Sequence, residues 1–421
     1  RFWNLSLYKG DEGLHAPVKW YEPELDDSDW EEVNMFSYQL GTKNGYPVSG
    51  SHWFRQNIHL TAEQADKDAV LRLGCMVNAD SVYVNGVFAG TTSYQYPPRI
   101  YKVPASVLKA GENLVTVRLI NSGGRPSFVK DKPYCMAIDG DTVRLAEQWK
   151  YRLGCEMPAG RGGVSFQNIP TGMYNSMISP LRNLTFKGAL WYQGESNTGD
   201  RAMRYGDELK AMIQLWRVKW HQPDMPFLIV QLPKFDIDAI EDGGWPLIRE
   251  QEWNVANELE NVATVVTLDA GESNDLHPYD KKLVADRVFN AAMDLVYGRQ
   301  AQPQPAVETI EVCGDLLRMH CVWRSRSDER IRSESRRLMT LDGDAPQEIE
   351  FLWRDCATSA RAEAWLDGCD IVARMTARRP DEVRYAWSNN PESGLICDGD
   401  GMLIPPFRLT LPTDDDKGIH A

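Results

Sequence analysis

Two polar clusters in this chain hold residue types suited to hydrolytic chemistry. The first is Gln193, Gly194, Glu195, Ser196 and Asn197, directly after the apolar run "KGALWY"; the second is "ESNDLHP", residues 272–278, after "VATVVTLD". His277 in the second cluster is the best general-base candidate. A neutral imidazole can take a proton from a hydroxyl nucleophile and return it to the leaving group near neutral pH. The other histidines lack this setting: His15, His52 and His59 lie in β-like texture, His221 and His320 in loops or strand edges, and His420 at the end of the chain. The competing role for His277 is that of a surface or capping residue ahead of a helix.

An imidazole base works best when a carboxylate fixes its tautomer and stabilises the imidazolium. Glu195 and Asp275 are the two candidates. Asp275 could equally be a charge at a helix start and Glu195 a loop carboxylate. Glu195 has the better location, because a residue at the end of a strand is held rigidly. Ser196 resembles a nucleophile, but the strained strand-to-helix turn of an esterase elbow needs glycine two residues before and two after the serine. Gly194 meets the first requirement, Thr198 stands at the second, and "GESN" recurs at 271–274. Ser196 therefore reads as a loop residue.

The elements that would position these clusters follow from texture. A length of 421 residues with 43% hydrophobic content predicts two or three domains. Residues 1–146 read as an all-β module, with short alternating runs such as "SVYVNG" and "NLVTVRLI" and an Asn-Gly hairpin signal in "VNGVFAG". Residues 147–300 alternate buried strands with amphipathic helices, which indicates an α/β fold with a mostly parallel sheet and helices on both faces. Within it Leu209, Met212, Ile213, Trp216 and Trp220 recur at helical spacing, and Gly298 is placed to cap the helix in "KKLVADRVFNAAMDLVYG". Residues 301–421 return to β-rich texture, interrupted by the solvated or disordered-looking run "RSRSDERIRSESRR" at 324–337. In open parallel sheets ligands gather at the carboxyl ends of the strands, where both polar clusters fall.

Composition excludes several classes. The net charge of −14 works against polyanions, so no nucleic-acid partner is expected. Apolar stretches such as "FLIVQL" are far shorter than the roughly 20 residues of a membrane span. The 14 tryptophans suit packing between sheets ahead of stacking on sugars. The eight cysteines show no CxxC spacing, so buried free thiols are expected, with Cys313–Cys321 a permitted disulfide. The chain opens on Arg1 with no charged and apolar leader, which is the reading of a removed signal or a fragment.

Six ordered blocks then carry a resemblance. "PTGMYNSMISPL", "KGALWYQGESN", "PFLIVQLP", "WPLIREQ", "DLHPYDKKLVADR" and "VRYAWSNNPE" together resemble the bacterial sialate O-acetylesterase family of SGNH-type hydrolases. The resemblance implies an SGNH-hydrolase-like, flavodoxin-like sheet, with a β-galactosidase-like jelly roll inserted at 1–146 and a C-terminal β-rich region. Residues 324–376 fit the family poorly. The activity implied is hydrolysis of O-acetyl esters of sialic acid or hemicellulose-type sugars, with no metal or other cofactor and a periplasmic or secreted location.

In that family the nucleophilic serine lies in a Gly-Gln-Ser-Asn block upstream of the insertion, and "GQSN" occurs nowhere in this sequence. The resemblance thus carries His277 over as base and Glu195 as its orienting acid, with Asp275 second. Gln193, Gly194, Asn197 and Arg249 become the candidates for oxyanion and substrate binding. These 421 residues alone are expected to be inactive. Two rival readings are a glycoside hydrolase with Glu195 and Asp275 as a carboxylate pair about 5 to 10 Å apart, and a non-catalytic carbohydrate binder using Tyr94, Tyr96 and Tyr101.

Overall fold

The computed structural model describes residues 2–160, 169–236, 244–273, 275, 277–325, 336–356 and 358–412. Most of the 324–337 run lies outside the described residues. The chain divides into two compact units, 1–165 and 166–421.

The first unit is antiparallel. Its strands are β1 (Glu31–Asn34), β2 (Ser49–Leu60), β3 (Ala69–Leu73), β4 (Ala79–Val84), β5 (Val87–Thr92), β6 (Ile100–Val103), β7 (Gly111–Asn121), β8 (Tyr134–Ile138), β9 (Asp141–Arg144) and β10 (Gln148–Met157). They form a six-stranded sheet in the order β1-β10-β2-β7-β4-β5 and a four-stranded sheet in the order β9-β8-β3-β6. Phe54, Val82 and Val117 of the larger sheet share one core with Leu71, Val103 and Met136 of the smaller. The arrangement is a sandwich, because each strand turns alternate side chains to that core.

The Asn-Gly hairpin is present between β4 and β5. Asn85 and Gly86 both have positive φ, +49° and +82°, as a type I′ turn requires. β10 pairs with β1 and β2, so the compact unit runs past the expected boundary at 146 to residue 165. Local texture cannot reveal this, because the strand's partners, for example Arg55 opposite Lys150, lie almost a hundred residues upstream.

Polar groups enter this core only with partners. Asp80 and Arg99, both fully buried, pair at 2.6 Å, and Tyr101 donates to the other Asp80 oxygen at 2.6 Å. Tyr101 is therefore a core residue and not a sugar platform, whereas Tyr94 and Tyr96 are exposed and meet edge to face. His52 is buried between the Val48 carbonyl and the Tyr151 hydroxyl, each 3.0 Å away. Since the carbonyl can only accept, Nε2 carries the proton and Nδ1 accepts from Tyr151. Burial holds the His52 pKa down at about 4.

The second unit begins with three parallel strands, β11 (Ala189–Trp191), β12 (Phe227–Val230) and β13 (Val262–Val265), in that order. The helices are α1 (Tyr205–Lys219), α2 (Trp245–Glu258) and α3 (Lys281–Leu295). Phe227 and Ile229 pack with Leu209 and Ile213 of α1 and Ile248 and Val255 of α2. Val230, on the opposite face of β12, packs with Val284 of α3. Helices thus cover both faces, and the all-buried strand "FLIV" follows from that. Gly298, at φ +57°, donates to the Asp294 carbonyl and ends the α3 segment.

The remainder is antiparallel. Gln304–Cys313, Leu316–Arg324, Asp370–Arg374 and Glu363–Asp367 form one sheet, and Thr358–Arg361, Ile349–Trp353, Glu382–Tyr385 and Phe407–Thr410 another. Val266 and Leu268, just past β13, join Leu317, Trp323, Phe351 and Tyr385 in a common core. That shared core is why the α/β part and the C-terminal β region form one unit. All eight cysteines are free. Cys313 and Cys321 lie on facing strands at different rungs, opposite Leu316 and Val307, so the permitted disulfide is not formed.

Candidate active site

The first cluster begins where β11 ends. Gly194 is packed so closely that an added Cβ would lie 2.7 Å from Ile248 Cγ2, so the turn demands glycine for space. Glu195–Asn197 then make a single 3-10 turn. Gln193 is anchored at its carbonyl by the buried Tyr205 hydroxyl, which also accepts from Trp191 Nε1 at 3.1 Å. Its side-chain amide donates to Asn197 Oδ1 at 2.8 Å. The Gly194 N–H donates to Glu195 Oε2 at 3.0 Å. Glu195 therefore braces its own turn, and the expected oxyanion donors Gln193 and Gly194 each hold an internal partner. Ser196 is exposed on this turn.

The second cluster follows β13. Gly271 passes against the Lys234 carbonyl, and Asp236 N–H donates to the Ser273 carbonyl at 2.7 Å, so the loops after β12 and β13 are laced together. Asp275 is buried, and its Oδ1 accepts the His277 backbone N–H at 2.9 Å while lying 4.0 Å from His277 Nδ1. The His277 side chain is 51% exposed, open to a reactant. Tyr192, at the end of β11, packs with Leu283 and Val284 of α3, and Lys281 sits 5.7 Å from its ring centroid. Both clusters thus follow the carboxyl ends of parallel strands.

Two site-adjacent groups escape a reading of the sequence. Burial, then the charges of Glu195 and Glu252, push the Tyr192 hydroxyl up. Glu252 is fully buried on α2; one carboxyl oxygen accepts the Leu232 N–H at 3.1 Å and the other has no hydrogen-bond partner among the described residues. Burial is the main cause of a carboxyl pKa held well above its ordinary value, and the neighbouring Glu195 charge adds to it. The available signal was a charged residue at a core position of an amphipathic helix, in line with Ile248 and Val255.

Arg249 requires a correction. Its guanidinium is fully buried and donates to the carbonyls of Leu232 at 2.9 Å, Pro233 at 2.7 Å, Ser388 at 2.8 Å and Asn389 at 3.0 Å. With four of its five N–H donors on backbone carbonyls and no exposed surface, it clamps residues 232–233 to residues 388–389 and is not placed to bind substrate. Burial lowers its pKa to about 9, which leaves it charged at neutral pH.

These residues coincide with a family signal. The sequence profile of "Carbohydrate esterase, sialic acid-specific acetylesterase" matches residues 151–284, which include Gln193, Glu195, Asp275 and His277. Sialate O-acetylesterase of Homo sapiens is 33% identical over 299 residues, 63% of this chain and 54% of that protein. The Mus musculus enzyme is 33% identical over 259 residues, 56% of this chain and 46% of that protein. The chain thus spans about half the length of these curated relatives. A carbohydrate acetylesterase from Xanthomonas citri shares the fold, with a TM-score of 0.51 at 21% identity over 79% of this chain and 93% of that one. Among the described residues no helix is long and apolar enough to cross a membrane. The sequence matches, with two polar clusters at the ends of parallel strands, place the similarity of this chain to sialate O-acetylesterases in residues 151–284 and the candidate site within it.

Proposed function

We propose that this chain is the base-bearing part of a carbohydrate O-acetylesterase acting on acetylated sialic acid or a hemicellulose-type sugar. The observation that carries the reading is the buried Asp275 carboxylate beside the open His277 imidazole. On this reading β11–β13 belong to an SGNH-type sheet, and the first unit is the jelly roll of the family.

His277 takes the proton of a serine hydroxyl carried by polypeptide outside residues 1–421, and the serine oxygen attacks the acetyl carbonyl carbon. The oxyanion is held by backbone amides and by Gln193, whose side-chain amide has a second N–H beyond the one given to Asn197. His277 then gives its proton to the departing sugar oxygen. Water repeats the sequence on the acetyl-enzyme, releasing acetate and restoring the serine. Asp275 is the carboxylate nearest His277, and Glu195 is the alternative from the neighbouring strand end.

The test is acetate release from O-acetylated sialic acid and acetylated xylan by the protein translated from its complete coding sequence. His277→Ala should remove nearly all of it, and residues 1–421 alone should release little. A new reducing end in place of acetate would replace this reading with a glycosidase.

A further inference from the structure

The two sheets of the first unit differ on their outer faces. On the six-stranded sheet Trp53 of β2 is turned away from the shared core and packs with Trp20 and Trp30 of the segment before β1. On the four-stranded sheet Leu71, Tyr101 and Met136 face the core, so their neighbours Arg72, Ile100, Lys102 and Cys135 face outward. Arg144, Cys135, Arg72 and Ile100 form one cross-strand row of that face, and Thr142, Ala137, Val70 and Lys102 form the next. Arg72, Lys102 and Arg144 are exposed. The rows hold these three cations and no carboxylate, in a chain of net charge −14. Among the described residues none of the three side chains has an ion pair or hydrogen bond. Past the second row Asp139 is paired with Lys67 at 2.8 Å, and Asp68 accepts the Ala105 N–H at 2.8 Å. Arg72 and Arg144 stand on either side of the middle strand, two strand spacings or about 10 Å apart. Cys135, Thr142 and Arg144 also line a cleft of about 910 Å³ that opens to solvent beside the rows.

We infer that this outer face is a binding surface for an anionic glycan, a sugar chain that bears carboxylates, held by Arg72, Arg144 and Lys102. A guanidinium takes a carboxylate through two parallel N–H···O bonds, and two unpaired guanidiniums on one row can take carboxylates from separate sugars of one chain. Lys102 supplies a third charge in the next row, and the cleft beside Arg144 gives a sugar ring a wall to lie against. Other occupants fit this face less well. Protein partners dock through large apolar or aromatic anchors in a desolvated centre, and among the strand residues of this face Ile100 alone is large, apolar and exposed. Three cations in a chain of net charge −14 release too few counterions to hold nucleic acid. The cationic surface rests on the sheet geometry; the choice of a carboxylated sugar rests on the acetylesterase reading, since sialic acid is itself a carboxylate.

The test titrates polysialic acid, neutral dextran, polyglutamate and duplex DNA into the protein translated from its complete coding sequence, by calorimetry. Polysialic acid should bind more tightly than polyglutamate or DNA, dextran should not bind, and the affinity should fall as salt rises from about 0.01 to 0.15 M. Arg72→Ser with Arg144→Ser should weaken polysialic acid binding about tenfold at an unchanged urea midpoint, as the loss of two charge-assisted contacts requires. Lys102→Ser, on the edge strand β6, should give a smaller loss and serves if the double variant fails to fold. Equal binding by parent and variants, equal binding of polyglutamate or DNA, binding of dextran, or no binding of polysialic acid would each overturn the inference. Acetate release from free O-acetylated sialic acid, expected to be the same in parent and double variant, separates the two claims. Polysialic acid binding without acetate leaves the surface and removes the esterase reading, and acetate without that binding does the reverse.

Discussion

One oxygen of Asp275 serves His277 twice, accepting its backbone N–H at 2.9 Å and lying 4.0 Å from its ring Nδ1. The backbone bond fixes the chain at His277, while the ring nitrogen lies beyond hydrogen-bonding distance of the same oxygen. Asp275→Asn keeps the shape but removes the charge, and should lower kcat of the complete protein roughly a thousandfold or more. Glu195→Gln, whose carboxylate braces its own turn, should have the smaller effect. Comparing the two in acetate-release kinetics decides between them, and the reverse order would make Glu195 the orienting acid.

Arg249 predicts stability and not affinity. Arg249→Met fits the space but takes the guanidinium from the Leu232, Pro233 and Ser388 carbonyls and leaves that of Asn389 with the Phe235 N–H, each bond to a charged donor contributing about 1.5–3 kcal/mol. Loss on the order of 4 kcal/mol or more should follow, read as a lower urea midpoint for the second unit. Arg249→Lys should recover little, because a point ammonium cannot span the same carbonyls. A variant of unchanged stability and raised KM would return Arg249 to the substrate.

His52 makes the first unit acid-sensitive. Its folded pKa of about 4 lies below the ordinary 6.5, so the unfolded chain binds the proton more readily between those values. The stabilisation is complete above pH 6.5 and is lost as pH falls to 4, about 3 kcal/mol at the limit. Denaturant melts at pH 7 and pH 4.5 should show this loss, and His52→Gln should flatten it. An equally steep loss in the variant would assign the acid sensitivity to other groups.

Glu252 acts in the opposite direction. Its folded pKa is raised, so the folded chain holds a proton that the unfolded chain releases above its ordinary value of 4.5. Stability from this group is present below pH 4.5 and lost as pH rises through the folded value. Glu252→Gln, an isostere of the neutral acid, should therefore gain stability relative to the parent as pH rises from 6 to 9. A constant difference across that range would mean that Glu252 is ionised in the fold.

Local sequence carried much of this architecture. The Asn85-Gly86 hairpin, the α1 periodicity and the "FLIV" strand are short-range patterns, and each element has the expected type. The strand Gln148–Met157 pairs with strands about a hundred residues upstream, a relation that local texture does not carry. The clusters at Glu195 and His277 follow strands as their apolar runs predicted, but β11 is not the buried strand expected, since Leu190 at its centre is 61% exposed. Arg249 was misjudged because a charge in a family block suggests substrate, whereas its burial and four carbonyl partners arise only when residues 388–389 fold back on it. Glu252 and Tyr192 went unnoticed for the same reason: their chemistry comes from burial, which has no local signature.

The Arg249 clamp also limits where the chain can be divided. The Asn389 carbonyl accepts from both the Arg249 guanidinium and the Phe235 N–H, and its side-chain oxygen accepts from the Trp245 backbone N–H. A fragment ending near residue 300 would keep Glu195, Asp275 and His277 yet lose the piece that holds Phe235 and Trp245. The smallest excisable unit that retains the candidate site therefore extends into the last β region, and sequence boundaries drawn by texture would cut through it.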